Sequence, residues 1–137
     1  MPRVLFAAVA PASLTFLLLV ACSYVVRVTA DDLSAPAPRF SISVGGPLGV
    51  ASLPRLKEVL VSSAPAGIAS PAILWRISAT HPIQVEHLTY GVAPPGFTTI
   101  TPAVPLSQNT AYNLVVSTGD GGNGSLRFGI EAPKGNQ

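Results

Sequence analysis

The side chains that could do chemistry are few and widely separated in this 137-residue chain. His81 and His87 are the only histidines, and the nearest further ligand candidates are Glu86 and Asp120. A zinc-type site needs three or four convergent donors. The histidines are therefore predicted to be surface residues, and no metal or other cofactor is expected.

The carboxylates and serines form no recognisable catalytic pattern. Asp31 and Asp32 fall in a Pro-rich segment. The other acids are scattered: Glu58, Glu86, Asp120 and Glu131. There is no nucleophile elbow, phosphate loop or paired-cysteine motif. General acid–base catalysis needs titratable groups, so the sequence predicts no catalytic residues and a protein that is not an enzyme.

The composition narrows the class of protein. Hydrophobic residues make up 48% of the chain and charged residues 10%, which is too apolar for a disordered protein. The net charge of +2 comes from side chains spread along the sequence. With no basic cluster to contact phosphates, no nucleic-acid partner is expected.

The only cysteine, Cys22, lies inside the most apolar part of the chain. Arg3 supplies a positive charge, and residues 4–21 then carry none. A positive start followed by an apolar stretch is typical of an export signal. Residues 1–21 are therefore predicted to be a signal peptide.

The four residues Leu19, Val20, Ala21 and Cys22 resemble the lipobox of bacterial lipoproteins. The resemblance implies cleavage between Ala21 and Cys22 and a diacylglyceryl group on the Cys22 sulfur, so that membrane lipid is the partner. Ser23 stands where an aspartate would retain such a protein at the inner membrane. The expected location is therefore the cell envelope, at the outer membrane.

Two alternatives remain open at this stage. Val28, Thr29 and Ala30 form a small-x-small pattern before Asp31, which is typical of an ordinary signal-peptidase site. Cleavage after Ala30 would release a soluble domain with ligand-binding or weak enzymatic activity. Alternatively, the apolar run is long enough to span a bilayer uncleaved and to anchor an accessory subunit.

The exported part is predicted to be a Pro-rich tether over residues 22–39, a β-sandwich domain over 40–133 and a short tail over 134–137. Short alternating apolar segments punctuated by glycine and proline predict strands at 40–44, 73–78, 83–91, 97–101, 112–116 and 126–131. Residues 55–61 fit either a helix, from the spacing of Leu53, Leu56 and Leu60, or a strand, from the alternation of Val59 and Val61, and the strand is slightly favoured. The run from Gly119 to Ser125 is predicted to be a connecting loop. The expected fold class is all-β, an antiparallel two-sheet immunoglobulin-like sandwich.

The segment from Leu106 to Val116 resembles the E–F region of fibronectin type III-like and other immunoglobulin-like domains. The resemblance implies that Tyr112 forms a tyrosine corner with upstream backbone, and that Trp75 is the buried tryptophan of such a sandwich. Leu106 belongs to the same motif. All three residues are expected to be structural, and the function is expected to be a lipid-anchored, non-catalytic binding or structural module with an envelope protein or glycan as partner.

Overall fold

The computed structural model describes residues 25–34, 36–45, 54–64 and 70–132, and the regular structure in these residues is β throughout. The eight strands are β1 (Val25–Asp32), β2 (Arg39–Gly45), β3 (Arg55–Ser63), β4 (Ile73–Gln84), β5 (His87–Thr89), β6 (Phe97–Thr101), β7 (Ala111–Ser117) and β8 (Asn123–Gly129). The predicted signal peptide and Cys22 lie outside the described residues.

The strands form two packed antiparallel sheets, which confirms the predicted all-β sandwich. One sheet has the order β1-β2-β5 and the other the order β6-β4-β3-β7-β8. Three connections join neighbours within a sheet: β1 to β2, β3 to β4 and β7 to β8. Three connections cross between the sheets (β2 to β3, β4 to β5 and β5 to β6), and β6 to β7 joins two strands of the five-stranded sheet that are not neighbours. Residues distant in sequence therefore share each face of the sandwich.

The core follows from the alternation of side chains along each strand. In β2, Phe40, Ile42 and Val44 are buried, and Ser43 between them is exposed. The largest fully buried side chains come from both sheets: Trp75, Phe40, Ile42, Leu56, Ile77, Leu88 and Leu114. Phe40 of one sheet packs edge-on against Phe128 of the other, with ring centroids 5.0 Å apart. Contacts of this kind hold the two sheets together.

Strand β1 lies where the sequence prediction placed a tether. Val26 and Val28 are 4% and 8% exposed, whereas Arg27 between them and Thr29 after them are exposed. This alternation gives β1 one core face, and its backbone pairs antiparallel with β2. The sandwich therefore includes Val25–Asp32 and begins before residue 40.

A second difference concerns residues 83–91, which were predicted as one strand. Strand β4 ends at Gln84, and β5 belongs to the other sheet. The chain crosses at Val85, whose N–H donates to the Pro54 carbonyl, and at Glu86, whose carbonyl accepts from Ile42 N–H. The apolar alternation slips by one residue here, because both Glu86 and His87 lie between Val85 and Leu88, and the prediction of one continuous strand passed over this slip.

Strands β1 and β8 approach each other closely although they belong to different sheets. A Cβ on Gly124 would lie 2.7 Å from the Val26 carbonyl oxygen. At the other end of these strands, Glu131 N–H donates to the Leu33 carbonyl at 3.0 Å. One side of the sandwich is thus nearly closed, and β1 is held by contacts with both sheets.

Candidate functional site

The Tyr112 hydroxyl is bonded to backbone five residues upstream. It accepts from Ser107 N–H at 2.7 Å and donates to the Ser107 carbonyl at 3.2 Å. The ring is 4% exposed and lies 5.6 Å from Phe128. Asn109, between the two residues, has a positive φ of 61°. This contact ties the loop before β7 to the core, which is a structural task.

Replacement of Tyr112 by phenylalanine is expected to remove both bonds and leave Ser107 N–H without its partner. The expected loss of stability is about 1–2 kcal/mol. The thermal midpoint should fall by about 5–15 °C in a domain of this size. Ser107→Ala is the matched control, because Tyr112 bonds the backbone of Ser107 and not its side chain. An unchanged midpoint in Tyr112→Phe would show that this corner contributes nothing to stability.

Trp75 is 1% exposed and packs edge-on against Tyr90, with ring centroids 5.3 Å apart. In immunoglobulin domains the buried tryptophan is on strand C, which neighbours strand F. Here β3 lies between β4, which carries Trp75, and β7, which carries Tyr112. Trp75 is therefore one strand further out than the resemblance implied.

An apolar groove lies at the end of the sandwich where β5 ends and β7 begins. Its volume is about 300 Å³, and its lining is Pro36, Tyr90, Gly91, Ala103, Val104, Pro105 and Leu106. The Tyr90 hydroxyl donates to the Val104 carbonyl across the groove. Burial raises the pKa of Tyr90, which keeps this donor protonated. Leu106, predicted to be structural, is half-buried and packs against the core.

A polar cluster that the sequence did not predict crosses the outer face of the three-stranded sheet. Ser41 donates to Asp31 at 2.5 Å, and its Oγ lies 3.3 Å from His87 Nδ1. Asp31 is the extra residue at an irregularity in the pairing of β1 with β2. On the other side of the imidazole, Nε2 lies 3.8 Å from Glu86 Oε1. No local sequence signal could join residues of three separate strands.

The cluster contains the residue types of a serine hydrolase but not their geometry. In a catalytic triad the imidazole bridges acid and serine through its two different nitrogens. Here Nδ1 of His87 faces both, 3.8 Å from Asp31 Oδ2, and the serine proton is directed to Asp31. The imidazole side chain is 70% exposed. The arrangement is a solvated cross-strand network, and exposed pairs of this kind contribute little to stability.

Among the described residues, no group of three or more His, Cys, Asp or Glu side chains could hold a metal ion. His81 is exposed on β4 and is not part of the His87 cluster. The two histidines that the sequence singled out are thus not brought together.

Asp32 fastens the end of β1. It accepts from both the hydroxyl and the backbone N–H of Ser34, and it pairs with Arg39 at 3.3 Å. The Ser34 bonds, with a smaller contribution from Arg39, hold the pKa of the Asp32 carboxyl below its ordinary value of 3.8. The charged form is therefore the one that the folded state favours.

Stability is expected to fall with acidification below about pH 4, in part through Asp32. A carboxyl with a depressed folded pKa stabilises the fold above its unfolded pKa, and this contribution disappears as the pH falls through the folded pKa. Thermal midpoints measured between neutral and strongly acidic pH should fall less steeply in Asp32→Asn than in the wild type. Glu131→Gln, which removes one negative charge nearby, is the control. Equal slopes in wild type and Asp32→Asn would contradict the prediction.

The end of the sandwich at which β1 begins is the end nearest to the predicted lipidation site, Cys22. Only Ser23 and Tyr24 separate Cys22 from Val25, the first residue of β1. Three extended residues reach at most about 10 Å. A lipid attached to Cys22 would therefore hold Val25, the first residue of β1, close to the membrane surface.

Comparison of the chain with protein-family models, with curated proteins and with solved structures found no match. In the part of the chain that the structure describes, no helix is long and apolar enough to cross a membrane.

Proposed function

We propose that the protein is a bacterial envelope lipoprotein: a signal peptide over residues 1–21, a lipid anchor on Cys22 and a β-sandwich carried directly on that anchor. The domain acts as a binding or structural module without catalytic activity. The location inferred from Ser23 is the outer membrane.

Strand β1 is the main support for the lipid anchor. The residues after Cys22 are too apolar for a flexible spacer. As a strand, the same residues place Val26 and Val28 in the core. Their apolar character is thereby accounted for by folding, and the discarded signal need extend no further than Ala21.

The same strand counts against cleavage after Ala30. That cut would remove Val25 to Ala30 and leave only Asp31 and Asp32 of β1. The β2 edge would lose its partner along most of its length. A protein with an uncleaved anchor would also keep β1 intact. Such a protein would differ from the lipoprotein in retaining residues 1–21.

Fractionation of cells tests the proposal. We expect the mature protein in the membrane fraction, extracted by detergent but not by concentrated salt, and in the denser of the two membranes of a diderm host. Recovery of the mature protein in the soluble periplasmic fraction would overturn the lipid anchor. Recovery in the inner membrane would overturn the sorting inferred from Ser23.

A further inference from the structure

Most of the described basic side chains that form no salt bridge with described residues lie toward the Val25 end of the sandwich. Of the six described Arg and Lys residues, Arg39 pairs with Asp32 and Arg76 with Glu58. The other four, with no salt bridge to described residues, are Arg27, Arg55, Lys57 and Arg127. Three of these four lie near the end where β1 begins.

The strand registers place these three cations at one end. Val25 pairs with Gly45, and the Arg27 side chain extends to within 3.8 Å of where a Gly45 Cβ would lie. Gly124, in contact with Val26, is next to the turn between β7 and β8. Strand β3 starts at this same end, because Glu58 pairs with Ser117 at the end of β7.

The cations are exposed, and one is held in position by packing. Arg27, Arg55 and Lys57 are each exposed. The stem of Lys57 packs against the turn, since a Cβ on Gly119 would lie 2.6 Å from its Cδ. Val25, an apolar side chain 58% exposed, lies at the same end. Arg27 is on the outer face of the three-stranded sheet, and Arg55 and Lys57 are on that of the five-stranded sheet, so cations lie on both sides of this end. An end that carries cations and an exposed apolar residue is a suitable surface for the headgroup region of a bilayer.

We propose that the Val25 end, defined by Arg27, Arg55 and Lys57, binds the anionic phospholipid headgroups of the membrane that holds the Cys22 anchor. This inference rests on the proposed function, because the anchor supplies the proximity. The short connection from Cys22 keeps Val25, and with it the start of β1, within about 10 Å of the anchor. Each basic residue near an anionic surface then adds attraction that decays over about one Debye length. The groove at the other end of the sandwich faces away from the lipid.

The test uses the lipidated protein reconstituted into vesicles of phosphatidylcholine alone or with added phosphatidylglycerol. An acylated Cys22 is not a thiol, so Asn123→Cys at the Val25 end can be labelled alone with a fluorescent donor. Thr110→Cys labels the opposite end. Energy transfer to headgroup-labelled lipid is expected to rise with phosphatidylglycerol for the Asn123→Cys donor, and to fall when salt is added.

The double variant Arg27→Gln/Lys57→Gln is expected to weaken binding of the Val25 end to the phosphatidylglycerol-containing vesicle surface by roughly 30-fold. Arg39→Gln/Arg127→Gln removes the same net charge elsewhere and should keep the dependence on phosphatidylglycerol. Transfer that is insensitive to phosphatidylglycerol and to salt in the wild type overturns the proposal, and so does an equal effect of the two double variants. These outcomes leave the anchor intact, whereas failure of the anchor itself is seen separately as an unacylated mature protein.

Discussion

A chain that begins at Asp31 is expected not to fold, whereas a chain that begins at Ser23 is expected to form a stable sandwich. The shorter chain loses Val26 and Val28, and burial of two valines contributes about 3–6 kcal/mol. It also loses most of the backbone pairing between β1 and β2. The free energy of unfolding of a domain of this size is only about 5–15 kcal/mol. The loss from the missing valines and backbone pairs is therefore comparable with the total stability.

The comparison requires both chains to be made without a leader and measured by circular dichroism and thermal unfolding. Point variants separate loss of packing from simple shortening. Val26→Ala should lower the free energy of unfolding by about 1–3 kcal/mol. Val25→Ala, at a 58% exposed position, should change it by less than about 0.5 kcal/mol. A cooperative, native-like transition in the chain that begins at Asp31 would remove the structural objection to cleavage after Ala30.

Replacement of Cys22 by serine is expected to abolish incorporation of fatty acid into the protein. The thiol of Cys22 is the only one in the chain, and a hydroxyl cannot form the thioether to diacylglycerol. Cells grown with radiolabelled fatty acid should give a labelled wild-type band and an unlabelled Cys22→Ser band at comparable protein levels. Ser23→Ala is the control and should remain labelled.

Either of two results would contradict this prediction. A wild-type protein that takes up no label has no lipid anchor. Label that persists in Cys22→Ser would place the acyl group on another residue. The size of the expected effect, from full labelling to none, makes this variant more informative about the anchor than any change in the sandwich.

The sequence prediction was most accurate for segments in which apolar and polar residues alternate throughout and which lie entirely in one sheet. Phe40, Ile42 and Val44 all point into the core as expected. Strand β8 was predicted in part: Leu126 and Phe128 lie in it as expected, but it begins at Asn123, inside the run from Gly119 to Ser125 that was predicted to be a loop. Alternation depends only on which face of a sheet is buried, so it can be read from a single sequence. It does not specify which sheet a strand joins, and the crossing at Val85 and Glu86 was missed for that reason.

Strand β1 was missed for a different reason. Its residues continue the apolar run of the signal, and the prolines that follow favoured a tether over residues 22–39. A tether and an edge strand are both extended, so composition does not separate them. What separates them is the burial of Val26 and Val28 against β2 and β8, which is a tertiary property.

The surface features depend on registers between distant strands. Asp31, Ser41 and His87 meet only because β1, β2 and β5 are neighbours. Likewise, the sequence showed no basic cluster, yet Arg27, Arg55 and Lys57 lie at one end of the sandwich. Tyr112 was a prediction that rested on a local motif, and its bonds to Ser107 span only five residues.

The intact mass of the mature protein, isolated from membranes of its own host, separates the lipid anchor from both alternatives. We expect a chain that begins at Cys22 and is heavier than its sequence by a diacylglyceryl group, with or without a further amide-linked acyl chain. A mass that corresponds to an unmodified chain from Asp31, or to a chain that retains Met1, would contradict it.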